Sequence, residues 1–172
     1  MDATNKSNVI QLLVNSNQFH DVNKLLSTLR EDGIELKALG ANSKTGLSEQ
    51  LKLQNWDLIL CCEDANITLA DTQKSISDLG LDLPIIFLVA ENTPLNIAEL
   101  LNTGIQDCLP ANQANHILFA IKREFETHRL KKNYRLLALN FKELEKRQRI
   151  LLDSATHALA YIQEGMHLYC NK

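Results

Sequence analysis

Short apolar runs alternate with amphipathic stretches along most of this chain. Residues 9–14 form the first apolar run and read as a buried strand. Phe19, Val22, Leu25, Leu26 and Leu29 then recur at helical spacing, and Gly33 supplies a stop. A second strand is predicted over 34–39, and a short helix around Leu47 and Leu51 follows a polar link. A third strand runs from 56 to 62, and a helix marked by Leu69, Thr72, Ile76 and Leu79 closes at Gly80. Pro84 opens a fourth strand over 85–90. Ile97, Leu100 and Leu101 mark a helix ending at Gly104, and a fifth strand over 105–109 is broken by Pro110. Continuous apolar strands are expected where helices cover both faces of a parallel sheet. The pattern therefore predicts a doubly wound α/β fold with a five-stranded parallel sheet in flavodoxin-like order. Ligands of such folds sit beyond the carboxyl ends of the strands. That directs attention to the residues just after Val14, Cys62, Ala90 and Leu109.

The pattern changes beyond the fifth strand. From Gln113 to Ser154 there is no Gly or Pro. Ile117, Leu118, Ile121 and Phe125 can pack on the sheet. Further on, Leu130, Tyr134, Leu137, Phe141, Leu144, Gln148 and Leu151 advance in steps of four and three, a heptad seam with one polar position. Such a stripe needs burial, either by a second copy of the chain or by the same chain folding back. Self-association is the reading that a strict repeat favours. Leu136, Leu139 and Ile150 lie off the seam and suggest a wider interface, such as a four-helix arrangement. The end of the chain alternates like two short strands, 158–162 and 166–169, about a turn at Gln163, Glu164 and Gly165. An isolated hairpin is rarely stable in water, so this segment reads as the beginning of a further domain.

Composition narrows the function. The 172 residues carry a formal net charge of -3, with 45% hydrophobic and 23% charged residues. That suits a globular domain with a smaller appendage. Slight acidity disfavours nonspecific nucleic-acid binding, which needs a basic face. No apolar run reaches the length of about 20 residues that spans a bilayer, and residues 1–8 lack the apolar centre of a secretory signal. A cytoplasmic setting without membrane insertion is expected. The four cysteines, Cys61, Cys62, Cys108 and Cys170, show no C-x-x-C spacing. Cys61 and Cys62 point to opposite faces of a strand and cannot easily grip one ion. A metal site is not expected. Nor is there a G-x-S-x-G, a Gly-rich phosphate loop or a recognisable His/acid pair.

Three segments carry a family resemblance. Residues 56–62, WDLILCC, resemble a strand that elsewhere reads PDLILLD. Residues 84–90, PIIFLVA, resemble PIIFLTA, and residues 104–111, GIQDCLPA, resemble GADDYLPK. In this order and spacing they resemble the CheY-like receiver domain of response regulators, over roughly residues 8–125. The resemblance implies a pocket of acidic residues after strand one, an acceptor aspartate ending strand three, a hydroxyl residue after strand four and a lysine after strand five. Carboxylates there would hold Mg²⁺, which prefers hard oxygen ligands. The acceptor carboxylate is the nucleophile, and the lysine supplies positive charge. This chain has Asn15 and Ser16, Cys62, Val89 and Ala111 at those positions. A thiol is a soft ligand and suits Mg²⁺ poorly. Glu63 and Asp64 lie near the pocket mouth but lack the hydroxyl and lysine partners, and Asp57 is at the wrong end of the strand. The expectation is a phosphorylation-dead receiver with no catalytic residue and no cofactor. A rival reading makes the altered pocket a ligand or partner sensor using Asn15, Ser16, Asn92 and Glu63. A conventional phosphorylation-dependent regulator of the phosphorelay type is a third alternative, ahead of a hydrolase or oxidoreductase.

The last residues add a second resemblance. LLDS at 151–154, ALAYI at 158–162, GMH at 165–167 and YCN at 169–171 resemble the first hairpin of a PAS domain. With the altered receiver and the long helix, they are similar to the N-terminus of FimX-type receiver–PAS–GGDEF–EAL proteins. The boundaries expected are 1–126 for the receiver-like domain, 127–154 for a helical coiled-coil linker and 155–172 for the start of a PAS domain. The resemblance implies a module of cyclic di-GMP signalling linked to type IV pili and twitching motility, placed at the cell pole by a polar or pilus-related protein partner. It assigns no cyclic di-GMP site to this chain. A homodimer is expected through Leu130, Tyr134, Leu137, Phe141, Leu144 and Leu151.

Overall fold

The structure, a computed structural model, describes residues 9–17, 22, 26–27, 30–31, 35–90, 100, 102–154, 160–164 and 166–170. The expected roles of Phe19, Leu25, Leu29, Gly33, Ile34, Asn92, Ile97, Leu101, Ala158, Leu159 and Gly165 lie outside these residues. By its internal contacts the chain divides into two units, Met1–Arg129 and Leu130–Lys172.

In the first unit, five strands form one parallel sheet: β1 (Ile10–Asn15), β2 (Leu36–Ala41), β3 (Leu58–Cys62), β4 (Ile85–Val89) and β5 (Asp107–Pro110). Their spatial order is β2-β1-β3-β4-β5. Among the described residues, two complete helices lie between them, α1 (Lys44–Leu53) and α2 (Leu69–Asp78). Val22, Leu26, Ser27, Arg30 and Glu31, and later Leu100 and Asn102, are also helical. The expected strands are all present, but their limits move. The second lies two residues later than 34–39, because an apolar run does not by itself say which residues find a ladder partner. Its register is set by pairing Ile10 with Leu36 and Asn15 with Ala41. Pro110 ends β5 from within it. That is tolerable on an edge strand, where a missing N–H leaves few ladder bonds unmade.

Local chemistry fixes the element ends. The Ser43 side chain accepts from the Gly46 N–H at 3.2 Å, and Thr68 accepts from the Asp71 N–H at 3.1 Å, capping α1 and α2. Gly80, at φ 63°, ends α2 in the left-handed conformation that other residues avoid. Asp57 pins the entry of β3 to β1: its carboxylate accepts from the Gln11 N–H at 2.9 Å, while its own N–H donates to the Gln11 carbonyl at 2.9 Å.

Alternation divides the core into two layers, one on each face of the sheet. Leu12, Val14, Leu58, Leu60, Ile86 and Leu88 join Val22 and Leu26 on one face, with Ile117 and Ile121 packed beside them. Leu13, Ile59, Cys61, Ile85 and Val89 join Leu47, Leu51, Ile76 and Trp56 on the other. The Trp56 ring nitrogen donates to the Gln50 carbonyl at 2.8 Å, so this large side chain is buried with its polar atom satisfied.

A single helix, α3 (Ala114–Asp153), belongs to both units and contains 40 residues. At 1.5 Å per residue it is about 60 Å long. Ile117, Leu118, Ala120 and Ile121 are buried. Leu130 and the residues that follow it in the heptad are not. In the second unit, α3 is followed by an antiparallel pair, β6 (Ala160–Gln163) and β7 (Met166–Cys170), with Glu164 at φ 48° in the turn. No helix among the described residues is long and apolar enough to cross a membrane.

Candidate functional site

The carboxyl ends of β1, β3 and β4 meet where a ligand of a doubly wound fold would bind. The register places Asn15 beside Cys61, one residue before the end of β3. Because side chains alternate, Asn15 and Cys61 share the face occupied by α1 and α2, while Cys62 belongs to the opposite face. Asn15 is thus turned inward. Its Nδ2 donates to the Ile67 carbonyl at 3.0 Å and to Thr72 Oγ1 at 3.1 Å, with the Cys61 sulfur at 4.0 Å. Its Oδ1 is buried with no hydrogen-bond partner among the described residues. Asn15 stitches β1 to the start of α2 and does not face the strand-end cleft.

Ser16, also buried, donates its hydroxyl to Asp64 Oδ1 at 3.3 Å. Next to it, Asn17 Nδ2 donates to the Asp64 carbonyl at 2.6 Å and to Asn66 Oδ1 at 3.0 Å, and Asn17 Oδ1 accepts from the Asn66 N–H at 3.3 Å. The loop after β1 is therefore clasped to the loop after β3 by side-chain hydrogen bonds. The other side of β3 is tied as well. Glu63 donates its N–H to the Leu88 carbonyl at 2.8 Å, and its carboxylate accepts from the Ala90 N–H at 2.8 Å. Both acidic residues that follow β3 are hydrogen-bonded within the fold.

Cys62 ends β3, half-buried between Ser16 and the core layer that contains Leu60 and Leu88. Burial pushes its thiol up from the ordinary 9.0 to about 11. The Ser16 hydroxyl works against that shift and the Asp64 carboxylate adds to it. Cys61 is pushed further, to about 12, by burial, with Thr72 and Asn15 opposing. Both thiols stay protonated at neutral pH. A nucleophilic cysteine needs the opposite environment, one that stabilises the thiolate.

The remaining sequence-selected positions do not join them. Val89 is buried in the core layer that contains Cys61. Ala111 is an exposed turn residue whose N–H donates to the Val89 carbonyl at 2.9 Å. Of the five altered positions, Ser16 and Cys62 have side chains in contact, and Val89 and Ala111 are joined through the backbone. The Asn17–Asn66 clasp and the Thr72 contact were missed by sequence reasoning. The available signal was two Asn-bearing loops, NSN at 15–17 and EDAN at 63–66, following strands that the flavodoxin order makes neighbours.

The donor set does not fit Mg²⁺. Asn15 points away, Cys62 offers a protonated soft atom, and Asp64 is one carboxylate already engaged by Ser16. Among the described residues no three His, Cys, Asp or Glu side chains could hold a metal ion together. A sensing pocket fares no better with the residues first considered for it: Asn15 is turned inward, Ser16 and Glu63 are hydrogen-bonded locally, and Asn92 lies outside the described residues.

Comparison with solved structures settles the fold. The receiver domain of the Francisella response regulator 1452 superposes with a TM-score of 0.57 at 15% identity, covering 69% of this chain and 98% of that one. This is the CheY-like receiver fold. The N-terminal domain of a response regulator/sensory box/GGDEF 3-domain protein from Carboxydothermus hydrogenoformans is also similar, with a TM-score of 0.56 and 15% identity, covering 70% of this chain and 97% of that one. A third structure, in which a yeast Spc42 trimeric coiled coil is fused to another structure, covers 83% of this chain and 95% of its own at a TM-score of 0.58 and 16% identity. No protein-family model matches the chain, and no curated protein sequence matches it.

Proposed function

We propose that this chain is a receiver-fold signalling module that works by assembly and not by phosphoryl transfer. The observation that carries this reading is Cys62. At the end of β3, where the family resemblance implies an acceptor carboxylate, stands a thiol held protonated by burial. A neutral thiol beside Ser16 offers neither the nucleophile nor the charge that aspartyl-phosphate chemistry requires. The neighbouring carboxylates, Glu63 and Asp64, are occupied in hydrogen bonds that hold the strand ends together.

With that input removed, the heptad on α3 becomes the working surface. Its apolar residues Leu130, Tyr134, Leu137, Phe141, Leu144 and Leu151 are between 61% and 75% exposed. Leaving so many large apolar side chains in one stripe in water is unfavourable, and a second copy removes them from it. The likeness to a structure carrying a fused coiled coil, which extends over more of this chain than the receiver domains do, supports self-association. The similarity to the N-terminal domain of a response regulator/sensory box/GGDEF protein supports the multidomain setting that the sequence resemblance implies. In that setting the boundaries lie at 1–126, 127–154 and 155–172. The last segment, which contains the β6–β7 pair, is the entry to a PAS domain. The module belongs to a FimX-type cyclic di-GMP regulator of type IV pili and twitching motility, and it contributes homodimerisation and placement at the cell pole through a protein partner. The cyclic di-GMP site itself lies elsewhere in such a protein.

The test is direct. Incubation with acetyl phosphate or beryllofluoride in Mg²⁺ should leave the intact mass unchanged and the amide resonances of residues 15–17, 62–64 and 89–90 unmoved. A stoichiometric, Mg²⁺-dependent adduct ends the reading.

A further inference from the structure

We infer that the second copy binds α3 parallel and in register, with Gln148 facing Gln148 of its counterpart. This deepens the self-association reading above and rests on it. The seam has two series. One is leucine throughout: Leu130, Leu137, Leu144 and Leu151. The other is Tyr134, Phe141 and Gln148. In a heptad, a step of four leads from the first series to the second and a step of three leads back. The leucines therefore occupy the d positions, and the aromatics and Gln148 the a positions.

Orientation follows from what Gln148 meets. In a parallel in-register pair, each a residue meets its own counterpart: tyrosine on tyrosine, phenylalanine on phenylalanine, glutamine on glutamine. A side-chain amide carries both donor and acceptor, so two Gln148 amides satisfy each other across the axis. In an antiparallel pair, a residues meet d residues, and every d residue is leucine. Gln148 would then be buried against Leu130 or Leu137 with its amide unpaired, the costly outcome for a desolvated polar group. A single polar a position is also the established device for fixing register.

Two strands suffice. On the opposite side of α3, Leu136, Leu139 and Ile150 are exposed, but Lys132, Glu143 and Lys146 are interspersed among them. Glu143 is moreover paired with Arg147 one turn later. A face so interrupted by charge does not make a second seam, unlike the side on which six of seven positions are apolar.

The experiment uses the full chain with Cys170→Ser as background, which leaves Cys61, Cys62 and Cys108 within the fold. Tyr134→Cys and Leu151→Cys are made singly, and each variant is first checked by sedimentation under reducing conditions. On oxidation, the parallel pair predicts that each variant forms its own disulfide dimer and loses its monomer band, while a mixture gives no excess of the 134–151 cross-linked species. Adding Gln148→Leu to both should keep the dimer but release its orientation, so that antiparallel pairs, in which 134 lies opposite 151, let the mixed species appear. If only the mixed species forms without Gln148→Leu, or if neither variant cross-links although both sediment as dimers, the orientation is overturned and self-association stands. A trimer or tetramer overturns the two-stranded pairing. A chain that is monomeric at every concentration removes the self-association reading and this inference with it.

Discussion

The strand ends of the receiver-fold unit and the heptad face of α3 handle their residues in opposite ways. At the strand ends, polar groups that sequence position would offer to a ligand are used internally. Asn15 binds Ile67 and Thr72, Ser16 and Asn17 hold the loop after β3, and Glu63 holds the end of β4. Along α3, large apolar side chains that would ordinarily stabilise a core remain on the surface. A receiver normally couples a chemical event at the first place to contacts elsewhere. In this chain the described polar side chains at the first place are engaged in hydrogen bonds within the fold, and exposed apolar side chains lie along the second.

The comparison can be broken most severely at the seam. Phe141→Asp puts a carboxylate on the coil axis opposite its own counterpart. It should weaken self-association by about a thousandfold or more, on the order of 4 kcal/mol, as read by sedimentation across a concentration series. The receiver-fold unit should keep its unfolding midpoint, since Phe141 takes no part in its core. A variant that remains dimeric at the parent affinity would move the interface off this stripe.

The next test asks whether the strand ends can be returned to the family pattern. Asn15→Asp removes the amide hydrogens that bind Ile67 and Thr72 and leaves acceptor facing acceptor. It should destabilise the fold by about 2–4 kcal/mol at pH 7. The buried carboxyl would have a folded pKa above its unfolded value of about 3.9. The cost is therefore small below pH ~4 and grows as pH rises through and above that value. Urea midpoints at pH 4 and pH 7 measure it. Millimolar Mg²⁺ should not restore the loss, and recovery by Mg²⁺ would show that a metal pocket survives.

Alkaline pH probes the two adjacent thiols. Burial raises Cys62 from 9.0 to about 11 and Cys61 to about 12, so in the fold both hold protons that the unfolded chain releases near pH 9. Between pH 9 and 11 the unfolded state binds fewer protons, and stability falls as pH rises. The urea midpoint should be level up to pH ~8.5 and then decline, by about 1–3 kcal/mol at pH 10. A midpoint that stays level to pH 10.5 would mean that the thiols ionise as easily in the fold as in the unfolded chain. The smallest effect is Glu63→Ala, which deletes the acceptor for the Ala90 N–H on an exposed edge and should cost about 1 kcal/mol. Hydrogen exchange at Ala90 should accelerate while Leu12 and Leu60 keep their protection.

Much of the fold was legible because its signals are local and repeated. Five apolar runs separated by helical periodicity predict a parallel sheet, and five strands in flavodoxin-like order are found. The uninterrupted helix from Gln113 was legible for the same reason: no Gly or Pro breaks it, and α3 spans Ala114–Asp153. The candidate site was legible only as a set of missing groups. Residue identity showed that Cys62 could not serve as an acceptor carboxylate. It could not show that Asn15 would face α2, or that Asn17 would reach Asn66 across 49 residues of chain.

What the sequence by itself determined, then, is the alternation of strands and helices, the loss of the carboxylate ending β3 and the heptad on α3. Each is a property of residue type or of spacing along one element. Only the tertiary structure decided which member of each adjacent pair, Asn15 or Ser16 and Cys61 or Cys62, turned toward the strand-end loops and which entered the layer under α1 and α2. The reason is that a strand's side chains alternate with a period of two, so a register shift of one residue exchanges the faces. That register is set by contacts between distant segments of the chain.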